Sequence, residues 1–217
     1  MKETCFEADF DIILENFVRS YHYLNLFIFD KKEKFYIREM DFLARLGESL
    51  GYFTFFRDRG MDPRYQREEP MDLAWYTRDR DNDHFRIVLR VETGKLFLKV
   101  HDELAKKILT SSKSGHMPPY LLAIVHTDQE NTALEFVKLL NHNYRIPSKS
   151  LLIFKIFDFD KEIFNKMVCW QLPLKKSTPA RTVLADISIN GLISLHFKDQ
   201  SGYYKLNGDL YNRPQYG

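Results

Sequence analysis

The sequence predicts an α/β protein with a mixed β-sheet flanked by helices and followed by a C-terminal β-meander. Three observations predict this class. Segments with apolar residues every three or four positions alternate with short strand-like segments. The central part reads helix, strand, strand, strand, helix, strand. Near the C-terminus Asn190-Gly191, a hairpin turn signal, separates two short apolar segments.

Length and composition are those of a globular chain. The 217 residues are 44% hydrophobic and 29% charged, and 32 basic side chains stand against 30 acidic ones. This near balance excludes proteins that coat nucleic acid through a large basic excess. Cys5 and Cys169 lie far apart, so neither a disulfide framework nor a zinc knuckle is indicated. Acids precede the first apolar stretch, and no apolar run approaches the ~20 residues that span a bilayer, so we expect a cytoplasmic protein.

Residues 1–35 are predicted to form an N-terminal helical segment. Ile13, Phe17 and Tyr21 follow one another at intervals of four, which places them on one helical face. The next apolar stretch, LNLFIFD at 24–30, is a short buried strand or a continuation of the helix, and its periodicity leaves both open.

Residues 36–170 are predicted to form the α/β core. A helix over 36–50 follows from an apolar side that includes Met40 and Leu43, and Gly51 ends it. The aromatic segment YFTFFRDR at 52–59 favours a strand.

Two alternating segments, MDLAWYTR at 71–78 and HFRIVLRVE at 84–92, predict a hairpin closed by the turn at 79–83. Thr93-Gly94 breaks this alternation. A helix is predicted from about 100, and 95–99 is left open between strand and helix.

Further along, PYLLAIVHT and SLLIFKIFDF predict buried strands on either side of a helix, NTALEFVKLLNHNY. Residues 171–217 are predicted to be a linker and a β-meander. The linker QLPLKKSTPAR contains two prolines, and the segments ISI, LISLHF and YYKLNGDL are the predicted strands of the meander.

Two acids in the predicted hairpin point to chemistry. Asp72 lies on the polar side of the first strand and Glu92 at the end of the second. Carboxylates on one face of adjacent antiparallel strands come close enough to share a divalent cation. Such a cation activates water and stabilises charge on a phosphodiester.

These segments resemble the PD-(D/E)XK, or restriction-endonuclease-like, nuclease superfamily. The resemblance rests on Pro70-Met71-Asp72-Leu73-Ala74-Trp75 and Val88-Leu89-Arg90-Val91-Glu92-Thr93-Gly94, with the order of elements over 36–126. It implies a Mg²⁺- or Mn²⁺-dependent nuclease in which Asp72 and Glu92 hold the metal. It also implies a lysine two positions after the second acid, to position or activate the attacking water.

The lysine of this motif has no unique counterpart. If Glu92 is the second acid, Gly94 occupies the lysine position and Lys95 follows one residue late. If Arg90 occupies the acid position, Glu92 occupies the lysine position. We predict Asp72, Glu92 and Lys95 as catalytic residues. The following helix offers Lys106 and Lys107 as alternative sources of the lysine.

Arginine is concentrated around the two acids. Eight of the 14 arginines lie between 57 and 90, a stretch without lysine. Because the guanidinium fork suits phosphate oxygens, Arg78, Arg86 and Arg90 are predicted nucleic-acid contacts, with Tyr76 on the Asp72 face. Nine acids between 57 and 92 offer the alternative that the arginines form surface ion pairs.

Other residues are assigned structural positions. Trp75 is predicted to lie in the core because it alternates with Met71 and Leu73. Glu39, although on the apolar side of its helix, is expected to reach solvent, with a role as an extra site carboxylate as the alternative. The histidines are expected on the surface.

Two functions remain open from the sequence, and a third possibility is an α/β domain unrelated to nucleases in which the polar strand face is ordinary surface. The first is a metal-dependent nuclease acting on DNA, or on RNA, for which the resemblance implies a homodimer, as in many members of the superfamily. The second is a nuclease-derived module without catalysis, which binds a protein partner or nucleic acid and offers a sheet edge of the meander to its partner.

Overall fold

The structure, a computed structural model, describes residues 13, 16, 34–78, 85–96, 101–109, 118–143, 149–158, 163–172, 181–187, 193–199 and 202–206. The helices are α1 (Lys34–Ser49), α2 (His101–Leu109) and α3 (Glu130–Asn143), and Pro63–Tyr65 forms one turn of 3-10 helix. The strands are β1 (Phe53–Asp58), β2 (Met71–Arg78), β3 (Phe85–Leu96), β4 (Tyr120–Thr127), β5 (Lys149–Asp158), β6 (Ile163–Leu172), β7 (Arg181–Ile187), β8 (Ile193–Asp199) and β9 (Gly202–Leu206).

The strands form one mixed sheet whose spatial order follows the chain, from β1 to β9. Strands β3, β4 and β5 are mutually parallel, and all other neighbours are antiparallel. Parallel neighbours require a crossover connection, and α2 and α3 lie in the two crossovers. The predicted α/β class, with a mixed sheet flanked by helices, is therefore confirmed. Among the described residues no helix is both long and apolar enough to cross a membrane.

The two faces of the sheet carry separate cores. Helix α1 packs on one face, where Leu43 belongs to the same buried cluster as Trp75 and Val91. Helices α2 and α3 pack on the other face, where Phe136 and Phe154 lie. Trp75 is completely buried, as predicted.

The second strand of the hairpin continues beyond its predicted end. Strand β3 runs through Thr93-Gly94 to Leu96 because β4 pairs with it beyond the point where its pairing with β2 ends. Its pairing with β2 ends at Val91, whereas parallel pairing with β4 extends from Leu89 to Leu96. A Cβ at Gly94 would collide with Leu104 of α2, so glycine lets the helix lie directly on the strand.

The ends of the chain match the predictions in part. Strand β6 has no counterpart among the predicted elements. Strands β8 and β9 overlap the predicted strands LISLHF and YYKLNGDL, whereas β7 covers Arg181–Ile187 and overlaps the predicted strand ISI only at Ile187. The turn between β7 and β8, at 188–192, lies outside the described residues. Of the predicted N-terminal segment 1–35, the structure describes Ile13 and Asn16, both helical, and the first two residues of α1; the stretch at 24–30 lies outside the described residues.

Candidate functional site

The candidate site lies where strands β2 and β3 separate. Leu73 of β2 pairs with Val91 of β3, and Asp72 and Glu92 are the next residues on either strand. Both side chains lie on the face against which α2 packs, and Lys107 of α2 reaches them there. The two acids that were predicted to share one face therefore converge.

Asp72 is held by three donors. Its Oδ2 accepts hydrogen bonds from the Thr93 amide at 2.7 Å, from Thr93 Oγ1 at 2.8 Å and from Lys107 Nζ at 2.6 Å. Lys107 Nζ also donates to the Thr93 carbonyl at 2.8 Å and lies 3.7 Å from Oε2 of Glu92. One ammonium group thus lies within 3.7 Å of an oxygen of each carboxylate.

Glu92 is completely buried among cations. Its Oε1 accepts a hydrogen bond from Arg67 Nη1 at 2.7 Å and lies 3.4 Å from Nε of Arg90. Burial raises the pKa of the Glu92 carboxyl, and the neighbouring Asp72 carboxylate also raises it, against the lowering effect of the nearby cations. Burial likewise lowers the pKa of the Arg90 guanidinium to about 10.

Arg67 is a site residue that sequence reasoning missed. It lies in the loop between β1 and β2, is 4% exposed, and its Nη2 donates to the Lys107 carbonyl at 3.3 Å. The loop is fixed by the Arg67 amide, which donates to the Arg59 carbonyl at 2.8 Å, and by Gly60, whose φ is +102°. Asp62 caps the 3-10 turn within it. In the sequence this arginine stands in a charged loop, and no periodic pattern marks it as buried.

The two carboxylates suit a cation whose remaining coordination positions are filled by ligands from outside the protein. Oε2 of Glu92 is buried and accepts no hydrogen bond from any described residue. Asp72 and Lys107 are 28% and 33% exposed, so the site opens to solvent on their side. Mg²⁺ is commonly held by one or two protein carboxylates together with water and substrate phosphates. Within the described ranges no three His, Cys, Asp or Glu residues form a metal-binding group.

Net charge favours the binding of an anion together with that cation. Three cationic side chains, from Arg67, Arg90 and Lys107, surround two carboxylates. The ionised site therefore has one positive charge in excess.

The predicted lysine lies elsewhere. Lys95 is exposed and pairs with His126 of β4. Since it stands three positions after Glu92 in one strand, its side chain is directed to the opposite face. The geometry favours Lys107, the alternative from the helix, as the lysine of this site.

The predicted nucleic-acid contacts divide into two pairs. Arg78 and Arg86 are exposed at the end of the β2–β3 hairpin, where a phosphate backbone can reach them. Arg90 and Tyr76 are completely buried. The Arg90 guanidinium donates to the Ile108 carbonyl, and the Tyr76 hydroxyl donates to the Asp58 carboxylate, so both are engaged within the protein. We therefore no longer place Arg90 and Tyr76 among the nucleic-acid contacts.

Glu39 and His126 form a second buried polar cluster on the α1 face. Glu39 is completely buried, and its Oε1 accepts a hydrogen bond from Lys155 Nζ at 2.6 Å. Its Oε2 lies 3.2 Å from Nε2 of His126, which is 3% exposed. The expectation that Glu39 reaches solvent was wrong, and so was the expectation that the histidines lie on the surface in the case of His126. Both side chains are buried because Glu39 has two buried partners, Lys155 and His126.

Comparisons of the chain with protein-family models, with curated protein sequences and with solved structures find no match.

Proposed function

We propose that the protein is a divalent-metal-dependent nuclease that hydrolyses phosphodiester bonds, with DNA as the expected substrate. The observation that carries this proposal is the convergence of Asp72, Glu92 and Lys107 at the point where two antiparallel strands separate. Two carboxylates and one lysine are the set of groups that the resemblance to PD-(D/E)XK nucleases implies. Here the lysine comes from α2 instead of from β3.

Each residue has a role in this proposal. Asp72 and Glu92 would hold Mg²⁺ or Mn²⁺, and Oε2 of Glu92, which accepts no hydrogen bond from any described residue and has Lys107 Nζ 3.7 Å away, is the oxygen available for it. The bound cation supplies charge stabilisation at the phosphate and lowers the pKa of water. Lys107 Nζ, 2.6 Å from Asp72, orients that carboxylate and offers a proton donor beside the phosphate. Thr93 fixes the Asp72 carboxylate through two hydrogen bonds.

Exposed arginines extend the site toward a substrate backbone. Arg78 and Arg86 lie on the same two strands as the carboxylates, at the other end of the hairpin. Guanidinium groups bind phosphate oxygens without reading base sequence, so these residues would orient a nucleic acid along β2 and β3.

The experiment is a cleavage assay with plasmid, single-stranded DNA and RNA in Mg²⁺, in Mn²⁺ and in chelator. We expect cleavage that needs the metal and that falls by about 10²-fold or more in Lys107→Met, as for loss of a proton-transferring group. Lys106→Met is the matched control, because Lys106 is the exposed neighbour on the same helix. Loss in Asp72→Asn with retention in Lys106→Met also excludes a contaminating nuclease. Cleavage that is equal in all variants contradicts the proposal.

The second candidate is a nuclease-like module that binds without cleaving. The excess positive charge of the site favours it, because cationic side chains that outnumber the carboxylates attract a phosphate without needing a metal. Oligonucleotide binding in chelator with no cleavage in any metal would support this candidate. Recovery of one protein partner that is lost on deletion of 181–217 would support the protein-binding form of it.

A further inference from the structure

We propose that Arg67 is an exchangeable counter-ion: it neutralises Glu92 in the free protein and transfers to a phosphate oxygen of the substrate when a divalent cation binds Glu92. The inference rests on the proposed function, because it deals with the order in which metal and substrate are accommodated at the same site.

The pairing between Arg67 and Glu92 is incomplete. An arginine and a carboxylate that are optimised for each other form two parallel hydrogen bonds. Here Nη1 alone contacts Oε1, at 2.7 Å. The buried Nε of Arg67 and the buried Oε2 of Glu92 both lack a hydrogen-bond partner among the described residues. Each group thus keeps a free donor or acceptor for a ligand that is not part of the protein.

The carboxylate side of this pair suits a cation and the guanidinium side suits an anion. Oε2 of Glu92 lies on the side of Lys107 and the partly exposed Asp72. A divalent cation there meets the repulsion of Arg67, Arg90 and Lys107, which outnumber the two carboxylates. A phosphate that binds with the cation removes this repulsion and gives Arg67 a new partner. Metal and phosphate should therefore strengthen the binding of each other.

Arg67 is the cation of this cluster that is best placed to move. Arg90 lies within β3, and its guanidinium donates to a carbonyl of α2. Lys107 bridges Asp72 and the Thr93 carbonyl. Arg67 lies in a loop, and its backbone is anchored through its amide to Arg59. Its own hydrogen bond to α2, from Nη2 to the Lys107 carbonyl, is long at 3.3 Å, whereas the two hydrogen bonds of Lys107 are 2.6 and 2.8 Å. Its side chain can change partner while the backbone remains in place.

The test is calorimetric titration of Mn²⁺ into the full chain and into Arg67→Met, with and without a short DNA oligonucleotide that carries a non-hydrolysable backbone. DNA binding is measured separately in Ca²⁺. Without DNA we expect Arg67→Met to bind Mn²⁺ about tenfold more tightly than the wild type, as for removal of roughly 1.4 kcal/mol of repulsion. We expect its affinity for DNA to fall by about tenfold, and the strengthening of Mn²⁺ binding by DNA to disappear.

Two further variants make the result interpretable. Arg59→Met removes an exposed guanidinium from the same loop, and it should leave Mn²⁺ affinity within about twofold of the wild type. Arg67→Gln keeps a polar side chain and should also bind Mn²⁺ more tightly, which preserves the test if Arg67→Met does not fold.

The outcomes separate the two proposals. If the wild type binds Mn²⁺ and cleaves, but both Arg67 variants bind Mn²⁺ equally or more weakly, Arg67 is only a support for Glu92 and the inference is overturned. If the wild type and the folded variants bind no Mn²⁺ at any DNA concentration, the metal-dependent function itself fails.

Discussion

Replacing Lys155 with methionine should destabilise the fold through the carboxylate that it leaves behind. Glu39 and Lys155 are both completely buried, and Lys155 Nζ is 2.6 Å from Oε1 of Glu39. Removing one partner of such a pair leaves an uncompensated charge and typically costs about 3–5 kcal/mol. For a chain of this size each kcal/mol shifts the melting temperature by roughly 2–4 °C, so we expect a fall of about 10 °C.

The dependence on pH identifies the cause. In the wild type, burial alone would raise the pKa of Glu39, but Lys155 and His126 lower it from 4.5 to about 2. This carboxylate therefore stabilises the fold above pH 4.5, and its contribution is lost as the pH falls toward 2. Removal of Lys155 takes away the largest of the lowering effects, so we expect burial to outweigh His126 and to raise the pKa of Glu39 above its ordinary value. Glu39 then stabilises most when protonated, and the variant should approach the wild type in stability as the pH falls from 7 to about 5.

Urea unfolding followed by circular dichroism measures both effects. Lys138→Met, which replaces an exposed lysine of α3, is the matched control and should change stability by less than about 0.5 kcal/mol. The double variant Glu39→Gln, Lys155→Met should recover at least half of the loss, since the buried charge is gone. A loss below about 1 kcal/mol at pH 7, or a gap between variant and wild type that widens on acidification, would refute the reasoning.

Two glycine substitutions test how the site is supported. Gly94→Ala brings a methyl group against Leu104 of α2 and should displace the helix that carries Lys107. We therefore expect the free energy of unfolding in urea to fall by about 1–3 kcal/mol and the cleavage rate to fall as well. Unchanged stability would show that the Leu104 side chain moves aside without displacing the helix. Gly60→Ala forces a φ of +102° on alanine and places its Cβ 2.7 Å from the Tyr65 carbonyl oxygen. We expect a loss of about 1–3 kcal/mol in the same assay and tighter Mn²⁺ binding, as for Arg67→Met, because the loop no longer holds Arg67 at Glu92; Mn²⁺ binding equal to that of the wild type would contradict this role of the loop.

Local periodicity was sufficient for most elements of the fold. The helix predicted over 36–50 is observed over Lys34–Ser49, because its apolar side is continuous in the sequence. The end of β3 was not predictable in the same way. The strand continues beyond Thr93-Gly94 because β4 pairs with it, and β4 begins only at Tyr120. A pattern within one segment carries no information about a partner that arrives later in the chain.

The candidate site was predictable only where it depends on neighbouring strands. Asp72 and Glu92 converge because adjacent strands of one hairpin carry them. Lys107 depends on where α2 settles on the sheet, which periodicity alone does not determine. Arg67 stands in an irregular loop. Glu39 lies on the apolar side of its helix because Lys155, 116 residues away, supplies the compensating charge.

The sequential strand order bears on how the chain assembles. Each strand from β2 to β9 pairs with the strand that immediately precedes it in the chain. During synthesis, every new strand therefore meets an edge that is already present, and no strand has to be inserted between two others. Short closures cost less chain entropy than distant ones, so growth from the β1 side is the entropically favoured route. The carboxylates and Lys107 are all synthesised before β4, which lets this end of the sheet assemble first.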